Sequence, residues 1–226
     1  MRRGRDFARC TNASGSDCIA SARWAPTTCR GTSWRSKADL KVGPYANLYG
    51  NNVLVVFLRG VNVGRHKRFL PAQLARDLAA FDAVNIGAAG TFVVRAPVAQ
   101  ATVVAEIRRC LGFDADIIIV KGAQLVAFAR SEPFGPRPPG ASEQRFATIM
   151  LKPLRRVPDL PLIVPPNDNW QVKVVAVAGQ LVASVWRHEP GMRRPIYPNA
   201  VIEKQFGVAT TRNWNTVSTI CKSLSE

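Results

Sequence analysis

Val53-Leu54-Val55-Val56-Phe57-Leu58-Arg59 carries six apolar residues in a row before its first charge. A run that is apolar at successive positions has no wet face, so it suits a strand covered on both sides. The residues after it set the layout around that strand. Residues 60–69 read as a loop. Pro71 opens a helix, because proline is tolerated at the first helical position, and Leu74, Leu78 and Phe81 fall on one face of residues 71–82. Residues 84–87 form a short strand, residues 88–90 a turn, and Thr91-Phe92-Val93-Val94-Arg95 a returning strand. Residues 98–111 predict an amphipathic helix with Val103, Ile107, Cys110 and Leu111 inward, and residues 115–121 a β-branched strand. The resulting order is β-α-β-β-α-β, the split ferredoxin-like arrangement.

Residues 122–130 predict a further helix. Pro133-Phe134-Gly135-Pro136-Arg137-Pro138-Pro139-Gly140 then interrupts all regular structure. The body of the chain is thereby divided into a first half, residues 52–132, and a second half, residues 141–226, packed together as one compact unit. The second half is α+β but less regular. Residues 144–151 form a strand, and residues 155–166 hold four prolines around a short apolar piece. Residues 171–178 and 180–186 flank Gly179 as a hairpin. Residues 199–206 form a helix with Asn199 as its cap and Gly207 as its stop. Residues 208–210 give a short strand, and residues 214–224 a last helix with Trp214, Val217, Ile220, Cys221 and Leu224 at helical spacing. The fold class is α+β.

Residues 1–51 differ from the rest. They are rich in Arg, Ser, Thr and Gly and show no sustained period. Too little apolar surface is present to offset the entropy of ordering them, so they read as a disordered basic extension or as an over-long gene start. An Arg-rich, acid-poor leader also resembles a mitochondrial transit peptide; no apolar stretch of secretory type is present. On the preferred reading these residues are dispensable.

The formal net charge is +16. Residues 53–226 alone contribute 22 Lys and Arg against 12 Asp and Glu, so the body is basic without its extension. That balance favours anionic partners by long-range attraction. A compositional bias toward Arg would give the same excess. The five cysteines, Cys10, Cys18, Cys29, Cys110 and Cys221, match neither a zinc spacing nor a disulfide framework, which fits a reduced, cytoplasmic setting. No apolar run reaches the length of a membrane span. The sequence calls for no metal and no cofactor.

Two segments carry a specific pattern. Leu58-Arg59-Gly60-Val61-Asn62-Val63-Gly64 follows the first strand, and Thr210-Thr211-Arg212-Asn213-Trp214-Asn215-Thr216-Val217 opens the last helix. Together and in this order they resemble the bacterial domain-of-unknown-function family 1697. The resemblance runs from about Val53 to Leu224. It implies an α+β fold with ferredoxin-like elements and no established activity. The chain departs from the family in two places. A Gln-Ser-Gly-Asn turn is replaced by Ala88-Ala89-Gly90-Thr91, and a Ser-Lys pair before the penultimate helix by Pro195-Ile196.

Both motifs could hold an anion. In the first, Gly60 and Gly64 permit positive φ and close backbone approach, with Arg59, Asn62, Arg65, His66, Lys67 and Arg68 around them. A glycine-containing turn between strand and helix can present amide N–H groups to an anion. The competing reading is a tight loop with a solvated rim. In the second motif, Arg212 supplies a planar fork suited to phosphate or carboxylate, and Asn213 and Asn215 lie where helix N–H groups are unpaired. The competing reading there is capping by Thr211 or Asn213, with Trp214 packed structurally into the core. Glu203 is the acid nearest to Arg212 along the chain.

The leading function is therefore the binding of an anionic small molecule, phosphate- or carboxylate-bearing, at Arg59, Gly60, Asn62, Gly64, Arg212, Asn213 and Asn215. One alternative is a nucleic-acid-binding module that uses the basic surface. Another is a structural or interaction protein without a ligand. Within the nucleic-acid reading, an RNA-recognition arrangement would use Phe57 and Phe92 as stacking positions. No catalytic constellation stands out; His66 and His188 are the two histidines, and His188 lies beside Glu189.

Overall fold

The structure is a computed structural model that describes residues 52–61, 69–189, 191, 192 and 194–225. All of them lie in one compact unit spanning Lys37–Glu226. The expectations for residues 1–51, and for Asn62, Gly64 and the basic run Arg65, His66, Lys67 and Arg68, lie outside the described residues.

The opening apolar run forms β1 (Leu54–Arg59), and five of its six residues are buried. Its two faces feed two different cores. Leu54, Val56 and Leu58 pack with Leu74, Leu78, Val103 and Ile107, which belong to the helical layer outside the sheet. Val55 and Phe57 pack the other way, with residues of the second half. The run is apolar throughout because each side of the strand meets a separate apolar layer.

Around β1 lie α1 (Pro71–Asp77), β2 (Ala83–Asn85), β3 (Thr91–Val94), α2 (Gln100–Leu111) and β4 (Asp116–Lys121). The sheet order is β2-β3-β1-β4 with every neighbouring pair antiparallel, as the split β-α-β-β-α-β order requires. The helix expected over residues 71–82 is shorter than its apolar spacing suggests. It ends at Asp77, a 3₁₀ turn occupies Ala79–Phe81, and Asp82 adopts a left-handed conformation with φ 49°. The tighter turn delivers the chain into β2 at Ala83, and the 3.6-residue period could not reveal that. Cys110 packs partly against this outer core, as its spacing predicted.

The second half continues with α3 (Gly122–Arg130), β5 (Glu143–Met150), β6 (Leu162–Val164), β7 (Val172–Ala178), β8 (Leu181–Arg187), α4 (Pro198–Phe206), β9 (Ala209–Asn213) and α5 (Trp214–Ser223). Its five-stranded sheet has the order β6-β7-β8-β5-β9. Val55, Phe57, Val93, Ile118 and Val120 of the first sheet share one core with Ala147, Ile149, Leu181 and Ala183 of the second. Leu125 and Phe128 of α3 and Val217 and Ile220 of α5 complete that core. On the far side of the second sheet, Ile202 of α4 packs with Met150, Val174 and Val182.

Two expectations are corrected. Asn199 does not cap α4: Tyr197 is the N-cap and Pro198 takes the first helical position. The Asn199 amide instead donates to Glu203 Oε2 at 2.8 Å, one turn along. The strand expected at residues 208–210 extends to Asn213, because Thr210, Thr211 and Arg212 pair with Ile149, Thr148 and Ala147 of β5. Antiparallel pairing overrides a polar sequence with little strand character of its own.

Phe57 and Phe92 are both fully buried, one on each face of the first sheet. They offer no ring to a nucleobase, so the RNA-recognition arrangement does not apply.

Trp214 is half-buried against the shared core, edge-on to Phe134 at 4.8 Å and to Phe128 at 6.2 Å. Truncating a large core aromatic costs about 3–5 kcal/mol, and partial exposure puts this site at the lower end. Trp214→Ala is expected to lower unfolding stability by about 3 kcal/mol, read as a shift of the urea midpoint at unchanged slope.

Candidate functional site

The two sequence motifs meet, and the contact between them is Arg212. β9 pairs with β5 so that Arg212 lies beside Ala147, on the face that looks toward the first sheet. Its side chain is 7% exposed. Nε donates to Thr91 Oγ1 at 2.9 Å. Nη1 donates to Thr210 Oγ1 at 2.7 Å and to the Thr211 carbonyl at 3.0 Å. Nη2 donates to the carbonyls of Leu58 at 2.8 Å and Ala89 at 2.7 Å. A guanidinium has five N–H groups, and all five have protein acceptors. The expectation of a fork open to an anion is therefore corrected: Arg212 spends its donors on β1, the β2–β3 turn, β3 and its own strand.

None of those five acceptors is charged. Burial pushes the Arg212 pKa down to about 10, which leaves the group cationic at neutral pH. Its hydrogen bonds are satisfied, but its charge meets no carboxylate within the contacts it makes. The Phe57 ring, 5.7 Å from the guanidinium carbon, adds a weak cation–π contact.

Glu203, the acid nearest along the chain, serves a different arginine. Arg59 at the end of β1 donates through Nε to Glu203 Oε1 at 2.7 Å, and through Nη1 to Asp116 Oδ2 at 2.7 Å. Burial pulls the Arg59 pKa down, but the bonds to Asp116 and Glu203 outweigh it and hold it above the ordinary value. Glu203 also accepts from the Ala209 amide at 3.3 Å and from Asn199 at 2.8 Å. Thr211 Oγ1 then donates to Asn199 Oδ1 at 2.9 Å and lies 2.8 Å from Thr148 Oγ1. A continuous polar strut thus runs from β4 through Arg59 and α4 into β9 and β5. Its members outside the two motifs, Glu203, Asn199, Thr148 and Asp116, have no distinctive local pattern in the sequence, and neither does Thr91 beside Arg212.

The backbone around this strut is tightly placed. Gly90 turns with φ +69°, and a Cβ there would sit 3.0 Å from Leu58 Cβ and 3.2 Å from Val61 Cγ2. Only glycine lets the β2–β3 turn lie so close to β1, and Ala89 beside it feeds its carbonyl to Arg212. Gly60 has φ +74°, and among the described residues nothing lies within 4 Å of a Cβ added there. Asn213 is the cap of α5: its side chain accepts from the Asn215 amide at 2.9 Å. Asn215 itself is exposed in the first turn. His188 is half-buried, with its ring tilted against Trp186 at 4.8 Å, apart from this cluster in the contacts it makes.

A family-wide sequence pattern, that of the protein family of unknown function DUF1697, matches residues 52–173. The chain belongs to that family. The match covers the first motif, and the string at 210–217 lies beyond it. The fold is shared with a conserved bacterial protein from Streptococcus pneumoniae at a TM-score of 0.51 and 13% identity, over 77% of this chain and 99% of that one. No curated protein matches the chain. Among the described residues, no helix is long and apolar enough to cross a membrane.

Arg212→Lys keeps the charge but brings at most three donors, so at least two of the five acceptors lose their partner. At about 1.5–3 kcal/mol per hydrogen bond from a charged donor, the substitution is expected to cost about 3–6 kcal/mol. Chemical denaturation of the two proteins side by side checks it, and an unchanged midpoint would contradict the clamp.

Proposed function

We propose that the protein binds an anionic small molecule, bearing phosphate or carboxylate, beside the junction of the two motifs. The observation that carries this reading is the bond from Arg212 to the Leu58 carbonyl at 2.8 Å, which ties the start of α5 to the end of β1. Arg212 contributes its charge and its hold on the loop rather than a free fork. Direct contacts fall to the backbone at Gly60, the first-turn amides of α5 other than that of Asn215, which Asn213 caps, and the side chain of Asn215. Asn213 acts as the cap that presents those amides. Arg59 acts as a brace, since its guanidinium is shared between Asp116 and Glu203. The first turn of a helix carries unpaired N–H groups and the positive end of its dipole. A buried cation two residues earlier in the chain adds to that field. The free thiols of Cys110 and Cys221 accord with a reduced, cytoplasmic setting.

Asn215→Asp separates this reading from a structural protein without a ligand. An acid in the first helical turn favours the helix by a few tenths of a kcal/mol, so the melting temperature in buffer should hold or rise. The same charge repels an anion at that site. Inorganic phosphate, a nucleoside monophosphate and a dicarboxylate form the panel. The wild-type chain is expected to be stabilised by at least one of them, with calorimetry giving its affinity. The variant is expected to bind that compound at least tenfold more weakly. Stabilisation by none of the panel, or equal affinity in both chains, would refute the proposal.

A further inference from the structure

The second sheet carries a cationic end that neither motif uses. Along its inner face, strand pairing sets the residues in lateral rows. The row through Ala147 of β5 and Ala183 of β8 lies in the shared core. The next row outward on the same face is Arg145 of β5, Val185 of β8 and Lys173 of β7. Arg187 stands one row further out on β8, opposite Glu143 of β5, whose carboxylate accepts from the Gly140 amide at 2.9 Å and forms no ion pair with it. The apolar rows thus give way to three half-buried cations and one carboxylate.

These cations are held in place without being neutralised. The Arg145 guanidinium lies over the Phe134 ring at 4.9 Å and donates to the Arg137 carbonyl. Lys173 Nζ and the Arg187 guanidinium both lie over the Trp170 ring, at 4.3 Å and 4.4 Å. Arg187 also donates through Nε to the Trp170 carbonyl at 3.0 Å and through Nη2 to the Asp168 carbonyl. Every partner is a ring or a backbone carbonyl. Among the described residues, none of these three is in an ion pair. An exposed cation paired with a carboxylate offers little net field. One fixed by neutral groups keeps its full charge and has already lost much of its rotamer freedom, so less entropy is spent when an anion arrives.

We infer that this row, Arg145, Lys173 and Arg187, is a docking face for the phosphate backbone of a nucleic acid. Adjacent strands are about 4.8 Å apart, so the Arg145 and Lys173 positions, separated by β8, are roughly 10 Å apart. A polyanion can span that distance, and a single small anion cannot. Two of the three cations are planar forks suited to phosphate. The rings of Phe134 and Trp170 are taken up by the cations, so the face reads backbone charge rather than base identity. The face adjoins the second motif through Phe134, which meets both Arg145 and Trp214, but it uses none of the residues of the proposed anion site.

The test is fluorescence anisotropy of the full chain with labelled single-stranded and duplex oligonucleotides of mixed sequence, titrated over a range of salt. Neutralising about three phosphates of a single strand gives a slope of log affinity against log salt near −2 from these residues alone. The Arg145→Gln, Lys173→Gln, Arg187→Gln triple variant is expected to bind at least tenfold more weakly at low salt, with a slope shallower by about 2. Lys173→Gln alone removes no hydrogen bond. It should keep the wild-type melting temperature while making the slope shallower by about 0.7, which keeps the test decisive if the triple variant unfolds. Absence of oligonucleotide binding at low salt would overturn the inference. So would wild-type affinity in a folded variant, which would move the binding to other basic residues, or binding to anionic lipid vesicles with none to oligonucleotide.

Discussion

A charged side chain 7% exposed and without a carboxylate among its partners is a costly thing to fold around. Taking an ion out of water costs several kcal/mol even after the protein relaxes. Arg212 is tolerated because each of its five donors finds an acceptor at 2.7–3.0 Å, and bonds from a charged donor are worth about 1.5–3 kcal/mol each. The acceptors come from β1, the β2–β3 turn, β3 and β9. All of them must be in position together, or some part of the charge is left bare. That requirement fixes how the second sheet meets the first more sharply than the apolar core between them, because side-chain packing tolerates small slips and a saturated guanidinium does not.

The surroundings follow from this constraint. Gly90 has to be glycine so that its turn can approach Leu58 and offer the Ala89 carbonyl. Thr91 and Thr210 hold hydroxyls where a sheet face would otherwise be apolar. Glu203 and Asp116 are engaged by Arg59 instead, and the two arginines divide the labour. Arg59 is a neutralised surface brace, and Arg212 is a clamp whose charge stays uncancelled by its direct partners. In the proposed function, that remaining charge is what draws an anion to the junction. The cationic row at the end of the second sheet uses the same device in a wetter setting, with rings and carbonyls in place of carboxylates.

Much of this architecture can be read along the chain. The run at 53–59, the helix at 100–111, the Gly179 hairpin and the Pro-rich break at 133–140 declare themselves through local period and turn chemistry, and the structure has an element or an interruption at each. The α+β class and membership of DUF1697 follow from the same stretches. Where reading along the chain fell short, the deciding contact was distant in sequence or set by a neighbour with stronger constraints. Asn199 has the chemistry of a cap, but Pro198 set the helix start and Glu203 claimed the amide. Residues 211–213 carry no strand signal and become one because β5 supplies the pairing partner.

The candidate site divides in the same way. The sequence by itself determined which residues were candidates: two short motifs, a basic body, an arginine with no acid close by in the chain and an asparagine ahead of a helix. Those are properties of side-chain type and spacing, which survive without a fold. Only the tertiary structure decided that Arg212 is a clamp and not a ligand fork, that Glu203 belongs to Arg59, and that Arg145, Lys173 and Arg187 form one row. Each of these depends on which acceptors or neighbours stand within about 3–5 Å. Leu58 and Ala89 lie more than a hundred residues from Arg212, and a bond across that separation is set by the packing of two sheets, which no local pattern encodes.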